Sequence, residues 1–292
     1  MQACHVVEIV TPKKFALNGL WFGPRRPKRA IVWTHGLGSS AFSMSHVVRN
    51  IADAETAVVT FNNRGHDIIS NVSQVTQSKK ITKRVKGGAA HEIFSDCVDD
   101  IQGVINFAKK TGVKDIYLAG HSTGCQKSVY WASRNNGGKG VKGIILLAPV
   151  SDYAGALHTE GKKKVARATA VARAFVRRGK KHQLLPANLW HEAIDAQRFL
   201  SLYTPDSIEE IFTYAQPKKN PRILKSVRVP LLVLLAEKDE YGDRPAKKIS
   251  EWFGQHVSGK MLTAKIIPKV PHSFHGAEKN VAAAIRKWIV AH

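Results

Sequence analysis

The segment from Gly120 to Gly124, which reads GHSTG, constrains the fold of this chain more than any other. It follows a short apolar run at residues 115–119 and precedes a segment of helical character at residues 125–133. A G-x-S-x-G sequence between a strand and a helix is typical of a sharp turn that holds the serine in a strained conformation with its hydroxyl exposed. The pattern therefore predicts a strand–turn–helix unit with Ser122 as a nucleophile.

Strand-like and helical segments alternate along most of the chain. Apolar residues at helical spacing predict helices over residues 91–110 and 278–290, with Asp96, Asp99 and Asp100 on the polar side of the first. Strands alternating with helices indicate an α/β fold, a mostly parallel sheet flanked by helices on both faces. Short apolar runs bounded by turn residues predict the other strands at residues 4–10, 15–22, 30–34, 57–61, 141–147, 229–236 and 262–267.

Residues 152–228 interrupt this alternation, because they contain no clear strand. They include a basic amphipathic stretch at residues 161–182, in which no acidic residue occurs. The strand pattern resumes after residue 228, so the segment is held at both ends. We therefore predict a helical cap at residues 152–228, inserted between two parts of one core, residues 1–151 and 229–292.

The charge balance is strongly basic, with 45 Lys and Arg against 22 Asp and Glu and a net charge of +23. Such a surface attracts anionic partners through its long-range field, or it serves solubility alone. No nucleic-acid motif is present, and the basic residues of the cap are not interleaved with aromatic ones, so specific nucleic-acid binding is not expected. Residues 161–182 are expected either to attract an anionic group on the substrate or to form a solvated lid face.

Location and cofactor needs are predicted from what the sequence does not contain. No run approaches the roughly 18 apolar residues of a membrane-spanning helix, and the N-terminus lacks the pattern of a secretory signal. We therefore expect a cytoplasmic protein without a transmembrane segment. Cys4, Cys97 and Cys125 share no close spacing, so they are expected to be buried thiols rather than a disulfide framework or a metal site. No metal or organic cofactor is expected.

A nucleophilic serine needs a histidine base, and that base needs an orienting carboxylate. Asp239 follows the run at 229–236, and His272 follows the run at 262–267. Both positions lie where a parallel strand ends, at the edge of the sheet that also carries the GHSTG turn, and the order Ser, Asp, His is typical of such sites. Further candidates stay open: Asp152, Glu237 and Glu240 for the acid, and His275 for the base.

The reaction also needs two backbone N–H donors for a developing oxyanion. Thr123, directly after the nucleophile, is expected to supply one. The glycine-containing loop after residue 34 is expected to supply the other through Leu37, because glycines let the backbone approach the substrate closely. His35 in this loop is interpreted as a structural residue that fixes the loop.

The chain as a whole resembles the α/β-hydrolase superfamily. The resemblance rests on residues 31–36 (IVWTHG), 120–125 (GHSTGC), 148–152 (APVSD) and 238–241 (KDEY). It implies a serine hydrolase with an inserted cap and a Ser-His-Asp triad that passes through an acyl-enzyme. Shorter runs resemble the fusarinine C esterase-like group, which would imply hydrolysis of hydroxamate siderophore esters; they are residues 120–126, 149–152, 199–202 and 239–241.

Two classes of function follow from these observations. The first is a serine esterase acting on a small-molecule carboxylic ester, with amides, thioesters and acylglycerols as alternative substrates of the same machinery. The second is a non-catalytic protein whose basic surface binds polyanions or an anionic membrane.

Overall fold

The computed structural model describes residues 4–76, 78 and 80–292. Within these ranges ten strands form a single sheet. In chain order they are β1 (Cys4–Val10), β2 (Phe15–Phe22), β3 (Arg29–Thr34), β4 (Thr56–Phe61), β5 (Ser70–Val75), β6 (Ile81–Gly87), β7 (Asp115–His121), β8 (Gly143–Leu147), β9 (Leu231–Ala236) and β10 (Leu262–Ile267).

The strands lie in the order β10-β9-β8-β7-β3-β4-β2-β5-β6, and β1 pairs with β2. The first six of these are parallel to one another, whereas β2, β5, β6 and β1 pair antiparallel. Strands β4, β8 and β9 are buried along their whole length, as expected for parallel strands covered on both faces. The register brings the carboxyl ends of β3, β7, β8, β9 and β10 to one edge.

Helices cover both faces of the sheet. The helices that do so are α1 (Ser45–Ile51), α2 (Cys97–Lys110), α3 (Thr123–Arg134), α8 (Ala246–His256) and α9 (Glu278–Ala291). One hydrophobic layer packs beneath α1 and α9, and the other packs beneath α2, α3 and α8. None of the described helices is both long and apolar enough to span a membrane.

Residues 152–228, which we call the cap, are mostly helices and loops with their own small apolar core. Buried residues of α5 such as Val165 and Ala172 pack with Trp190 and Phe199 in that core. The only strand-like pairing in the cap, all of whose residues are described, is an isolated bridge between Leu184 and Asp195. The cap helices are α4 (Asp152–Thr159), α5 (Lys162–Arg177), α6 (Ala196–Tyr203) and α7 (Arg222–Lys225).

The acidic residues of α2 differ from the prediction. Asp99 and Asp100 are buried rather than on a solvated face, because the Arg64 side chain neutralises them. Arg64 Nε lies 2.8 Å from Asp100 Oδ1, and Arg64 Nη2 lies 3.1 Å from Asp99 Oδ2. Burial raises the pKa of Asp100 to about 6 despite the opposing Arg64 charge. The helix itself begins at Cys97, after a short 3-10 turn, and not at residue 91.

The cysteines are only partly as expected. Cys97 and Cys125 are buried free thiols, as predicted, but Cys4 is exposed. Cys4 is the first described residue of the outer strand β1, where alternate side chains point away from the sheet. The prediction of a buried thiol at this position is therefore wrong.

Candidate active site

Ser122 sits at the turn between β7 and α3 with φ 55° and ψ −129°, a backbone conformation that non-glycine residues rarely adopt. Its N–H donates to the Leu147 carbonyl at 3.0 Å, which ties the turn to β8. A Cβ on Gly124 would lie 2.2 Å from the Thr34 carbonyl oxygen, and one on Gly120 would lie equally close to the oxygen of Gly124. The turn is thus possible only because glycine stands on both sides of Ser122.

The loop after β3 lies directly against this turn. A Cβ on Gly36 would come within 2.9 Å of the Ser122 Cβ, so the backbone of the loop passes next to the serine. The backbone N–H groups of Leu37 and Thr123 donate no hydrogen bond within the described part of the chain. Leu37 lines the cavity beside Ser122, whereas Thr123 is buried directly behind the serine.

His35 is buried within the same loop. Burial, together with the nearby Lys127 charge, lowers the pKa of His35 to about 3, so the ring is neutral. Its Nδ1 is 2.8 Å from the Gly36 carbonyl oxygen, so Nδ1–H donates to that oxygen. These contacts support the interpretation of His35 as a residue that fixes the loop.

His272 is held from three directions at the end of β10. Its Nδ1 lies 2.8 Å from Asp239 Oδ2, and its backbone N–H donates to Glu240 Oε2 at 2.9 Å. Its carbonyl oxygen accepts from His121 Nε2 at 3.0 Å. Burial, and next the neighbouring His272, lower the pKa of His121 to about 3, so His121 is a neutral donor. Tyr241 packs edge-on against the His272 ring.

The structure brings Asp239, and not Asp152, to the histidine. Asp152 Oδ2 instead accepts from Gln126 Nε2 at 2.6 Å. Burial, reinforced by Glu209 and Glu210, raises the pKa of Asp152 well above its usual range.

The remaining candidates for the acid and the base have partners of their own. His275 is exposed, with its Nδ1 3.4 Å from Glu278 Oε1. Glu237 accepts from the backbone N–H of Lys269. Glu240 contacts the backbone rather than the ring of His272. Among the described acids, the one that reaches the His272 ring is therefore Asp239.

Ser122, His272 and Leu37 line one cavity of about 340 Å³ between the sheet edge and the cap. No hydrogen bond joins Ser122 Oγ to His272 among the described residues, and such contacts often tighten only when substrate binds. The cavity wall on the cap side is built from α4 and from the segment around Trp190 and Glu192. The site thus combines a serine in the cavity wall, a carboxylate-bound imidazole and two backbone N–H groups, of Leu37 and Thr123, that have no hydrogen-bond partner among the described residues.

A cluster of four buried charges connects the cap to the core beside this site. Arg198 of α6 forms a two-pronged ion pair with Glu209, and its Nη2 lies 2.9 Å from Glu92 Oε2. Lys127 of α3 lies 2.6 Å from Glu92 Oε1. The sequence patterns did not predict this cluster. The sequence of the cap contains only Arg198 and Glu209, 11 residues apart, as an indication of this cluster.

Two groups of side chains have the spacing of a metal site. In the first, Asp195 Oδ2 accepts from His91 Nδ1 at 2.9 Å and from His182 Nδ1 at 3.0 Å. In the second, His46, His275 and Glu278 lie together. His91, His182 and Asp195 do not line the cavity around Ser122. Asp195 Oδ1 also accepts the Arg198 N–H at the start of α6. Their contacts here are those of a hydrogen-bonded link between cap and core.

Comparison with known proteins agrees with this architecture. The chain is similar to an esterase from Pyrococcus furiosus at 17% identity and TM-score 0.57, covering 99% of this chain and 89% of that one. It is similar to Est1E from Butyrivibrio proteoclasticus, solved with ferulic acid, at 17% identity and TM-score 0.59, covering 97% of this chain and 98% of that one. It is similar to a thermostable carboxyl esterase from Bacillus coagulans at 14% identity and TM-score 0.64, covering 100% and 99%.

At these identities the likeness shows the fold, and the predicted α/β-hydrolase fold is confirmed. None of the curated proteins compared with the sequence matches it. A family model described as a protein of unknown function, DUF1749, matches residues 88–292.

Proposed function

The chain belongs to the DUF1749 family, described as a protein of unknown function, and we propose that it is a carboxylic-ester hydrolase that uses Ser122, His272 and Asp239. The observation that carries the proposal is the 2.8 Å contact between His272 Nδ1 and Asp239 Oδ2, because His272 lines the same cavity as Ser122. A nucleophile, a base and an orienting acid in this arrangement perform acyl transfer.

In the first half of the proposed reaction, Ser122 Oγ attacks the ester carbonyl carbon while His272 Nε2 takes the hydroxyl proton. Asp239 holds the imidazole in the tautomer that leaves Nε2 free, and it stabilises the imidazolium that forms. The N–H groups of Leu37 and Thr123 donate to the oxyanion, and the N-terminus of α3 adds partial positive charge. His272 then gives the proton to the departing alcohol, and the acyl group stays on Ser122.

In the second half, a water molecule attacks the acyl-enzyme as His272 takes its proton. The tetrahedral intermediate uses the same two N–H donors. When it collapses, His272 returns the proton to Ser122 Oγ and the carboxylic acid leaves. Neutral His121, which donates to the His272 carbonyl, holds the imidazole-bearing loop in place through the cycle.

Ester substrates are favoured because the similar solved structures are esterases and carboxyl esterases. The same machinery acts on thioesters, amides and acylglycerols, and the resemblance to the fusarinine C esterase-like group suggests siderophore esters. The alternative of an anionic substrate group receives no support from the cavity, because no Lys or Arg is among its lining residues.

The proposal is tested with the purified chain and a panel of p-nitrophenyl esters of different acyl length. Loss of a triad serine or histidine typically lowers kcat by about 10⁶, so Ser122→Ala and His272→Ala should abolish turnover. Asp239→Asn should lower kcat by about 10⁴. The matched control is His275→Ala, three positions from the base and exposed, which should retain wild-type kcat. Wild-type-like turnover by Ser122→Ala would refute the mechanism.

A further inference from the structure

The cavity around Ser122 has the opposite charge from the surface of the molecule. The chain carries 45 Lys and Arg residues, yet none of them lines this cavity. The charged side chains in its wall are those of Asp152, Glu160 and Glu192, all on the cap side. The recognition chemistry of the cavity therefore depends on the state of these three carboxyls.

Two of the three have surroundings that reduce their negative charge. Asp152 Oδ2 accepts a hydrogen bond from Gln126 Nε2 at 2.6 Å, and burial, reinforced by Glu209 and Glu210, raises the pKa of this carboxyl. Glu160 is neutralised by Lys164, whose Nζ forms an ion pair with Glu160 Oε2. Its other oxygen faces His191 at 3.6 Å.

Glu192 is different, because its hydrogen-bond partners are neutral. Its Oε2 accepts from the Tyr203 hydroxyl at 2.8 Å and from the Trp190 indole N–H at 3.4 Å. Across residues 4–76, 78 and 80–292, no Lys, Arg or His side chain forms an ion pair with it. Two rigid donors thus fix a half-buried carboxylate in the wall of the reaction cavity, without a cation to balance it.

We propose that Glu192, with the aromatic side chains of Trp190, Tyr203 and Tyr241, forms a subsite for a positively charged nitrogen group of the substrate. The inference rests on the proposed ester hydrolysis and specifies its substrate class: a carboxylic ester with an organic ammonium on its acyl or its alcohol part. All four residues line the cavity that contains Ser122.

The physical reason is that a partly desolvated carboxylate is costly while unpaired, and an entering cation removes that cost. Aromatic side chains beside a carboxylate add attraction for organic cations, especially quaternary ammonium groups. A few polar groups in an otherwise apolar cavity fix ligand orientation, and here Trp190 and Tyr203 already orient Glu192. An anionic substrate would meet this carboxylate in a cavity wall that contains no Lys or Arg.

The test uses two pairs of esters that differ only in charge. Acetylcholine is compared with its neutral isostere 3,3-dimethylbutyl acetate for the alcohol side. The p-nitrophenyl ester of 4-(trimethylammonio)butanoate is compared with that of 5,5-dimethylhexanoate for the acyl side. A buried cation–carboxylate contact supported by aromatic rings should raise kcat/KM for the cationic member of at least one pair by about tenfold.

The variant Glu192→Gln should reduce this preference to near parity, because the amide keeps the shape of the side chain and loses its charge. The matched control is Glu55→Gln, which makes the same change of charge just before β4, at the opposite edge of the sheet. It should keep the wild-type preference. Equal rates for both members of both pairs in the wild type would overturn the subsite, and so would a preference that survives in Glu192→Gln.

A binding measurement separates this inference from the proposed reaction. Ser122→Ala should bind acetylcholine in isothermal titration, and Ser122→Ala with Glu192→Gln should bind it at least about tenfold more weakly. Binding that depends on Glu192, with hydrolysis unaffected by Ser122→Ala, would support the subsite and refute the mechanism. Hydrolysis that depends on Ser122, with no charge preference and no effect of Glu192→Gln on binding, would refute the subsite alone.

Discussion

Arg198 is expected to be one of the most sensitive positions of the chain, because its buried guanidinium balances two carboxylates at the cap–core boundary. Its side chain is fully buried, and it pairs with Glu209 in the cap and with Glu92 in the core. Burial by itself raises the pKa of Glu92, but the charges of Lys127 and Arg198 outweigh it and hold this pKa below its usual value. The four charges therefore sum to zero only while Arg198 is present.

The change Arg198→Met keeps a long side chain and removes the charge. It leaves Glu92 with Lys127 alone and Glu209 with no buried cation. Removing one partner of a buried ion pair costs about 3–5 kcal/mol of unfolding free energy. For a domain of this size that loss corresponds to a fall in Tm of about 5–8 °C. The unfolding free energy of Arg198→Lys should lie between those of the wild type and Arg198→Met, because an ammonium group keeps the charge but not the two-pronged contact.

The assay is urea unfolding of the wild type, of the single variants Arg198→Met and Glu209→Gln, and of the double variant that combines them. The double variant no longer contains the unbalanced carboxylate, so it should be more stable than the sum of the single losses implies. The expected coupling is about 1–3 kcal/mol, within the range for residues in one charged network. Strictly additive losses would refute the reasoning, since they would mean that Glu209 does not depend on Arg198 for its charge balance.

Two further predictions concern the loops around the nucleophile. Gly36→Ala places a Cβ 2.9 Å from the Ser122 Cβ, and by displacing the Leu37 N–H it should lower kcat on a p-nitrophenyl ester about 100-fold. The control Gly259→Ala, whose new Cβ meets no atom within 4 Å, should leave kcat unchanged. An unchanged kcat for Gly36→Ala would contradict the close approach of the loop to Ser122. His121→Gln keeps a donor but cannot titrate. Burial lowers the pKa of His121 to about 3, so below pH 6.5 the unfolded chain binds a proton that the folded chain does not. As the pH falls, the unfolding free energy of the wild type should therefore decrease by up to about 1.4 kcal/mol per pH unit relative to that of His121→Gln. Parallel unfolding free energies of the two proteins between about pH 6.5 and 5 would contradict this prediction.

The parallel half of the sheet could be predicted from the sequence because its strands are buried on both faces. Such strands are uninterrupted apolar runs bounded by turn residues, a local signal that needs no knowledge of the partners. The predicted strand at residues 262–267 coincides with β10, and those at 229–236 and 141–147 differ from β9 and β8 only at their starts. The glycines around Ser122 are an equally local signal.

The hairpin of β5 and β6 could not be predicted in the same way. Its sequences, SNVSQV and ITKRVKG, carry few apolar residues, and most side chains of β6 are exposed. An outer hairpin of this kind depends on its pairing with β2 and buries only a few side chains, such as Val72 and Val75, so its composition resembles that of a loop. Helix α8 was missed as well, although Ile249 and Phe253 are buried one turn apart in it.

Charged residues caused the other errors, because their burial depends on partners distant in sequence. Asp99 and Asp100 have the pattern of a solvated helix face, and only Arg64, more than 30 positions earlier, shows why they are buried. Arg198 and Glu92 are separated by 106 positions. A single sequence gives no local pattern for such pairs, whereas the Asp239 and His272 positions follow from the strands that precede them.

The contrast between surface and cavity separates the effect of net charge from the charge selection of the proposed subsite. The field of the +23 surface is screened within about 8 Å at physiological ionic strength, so it acts on the approach of a ligand and little within the cavity. Glu192 acts at contact distance and in a partly desolvated wall, where each charge counts for more than one on the surface. A basic surface slows the encounter with a cationic ester only modestly, while the carboxylate that meets the bound substrate decides its preference. The sign of the substrate charge is therefore set by the few side chains that the cap turns inward.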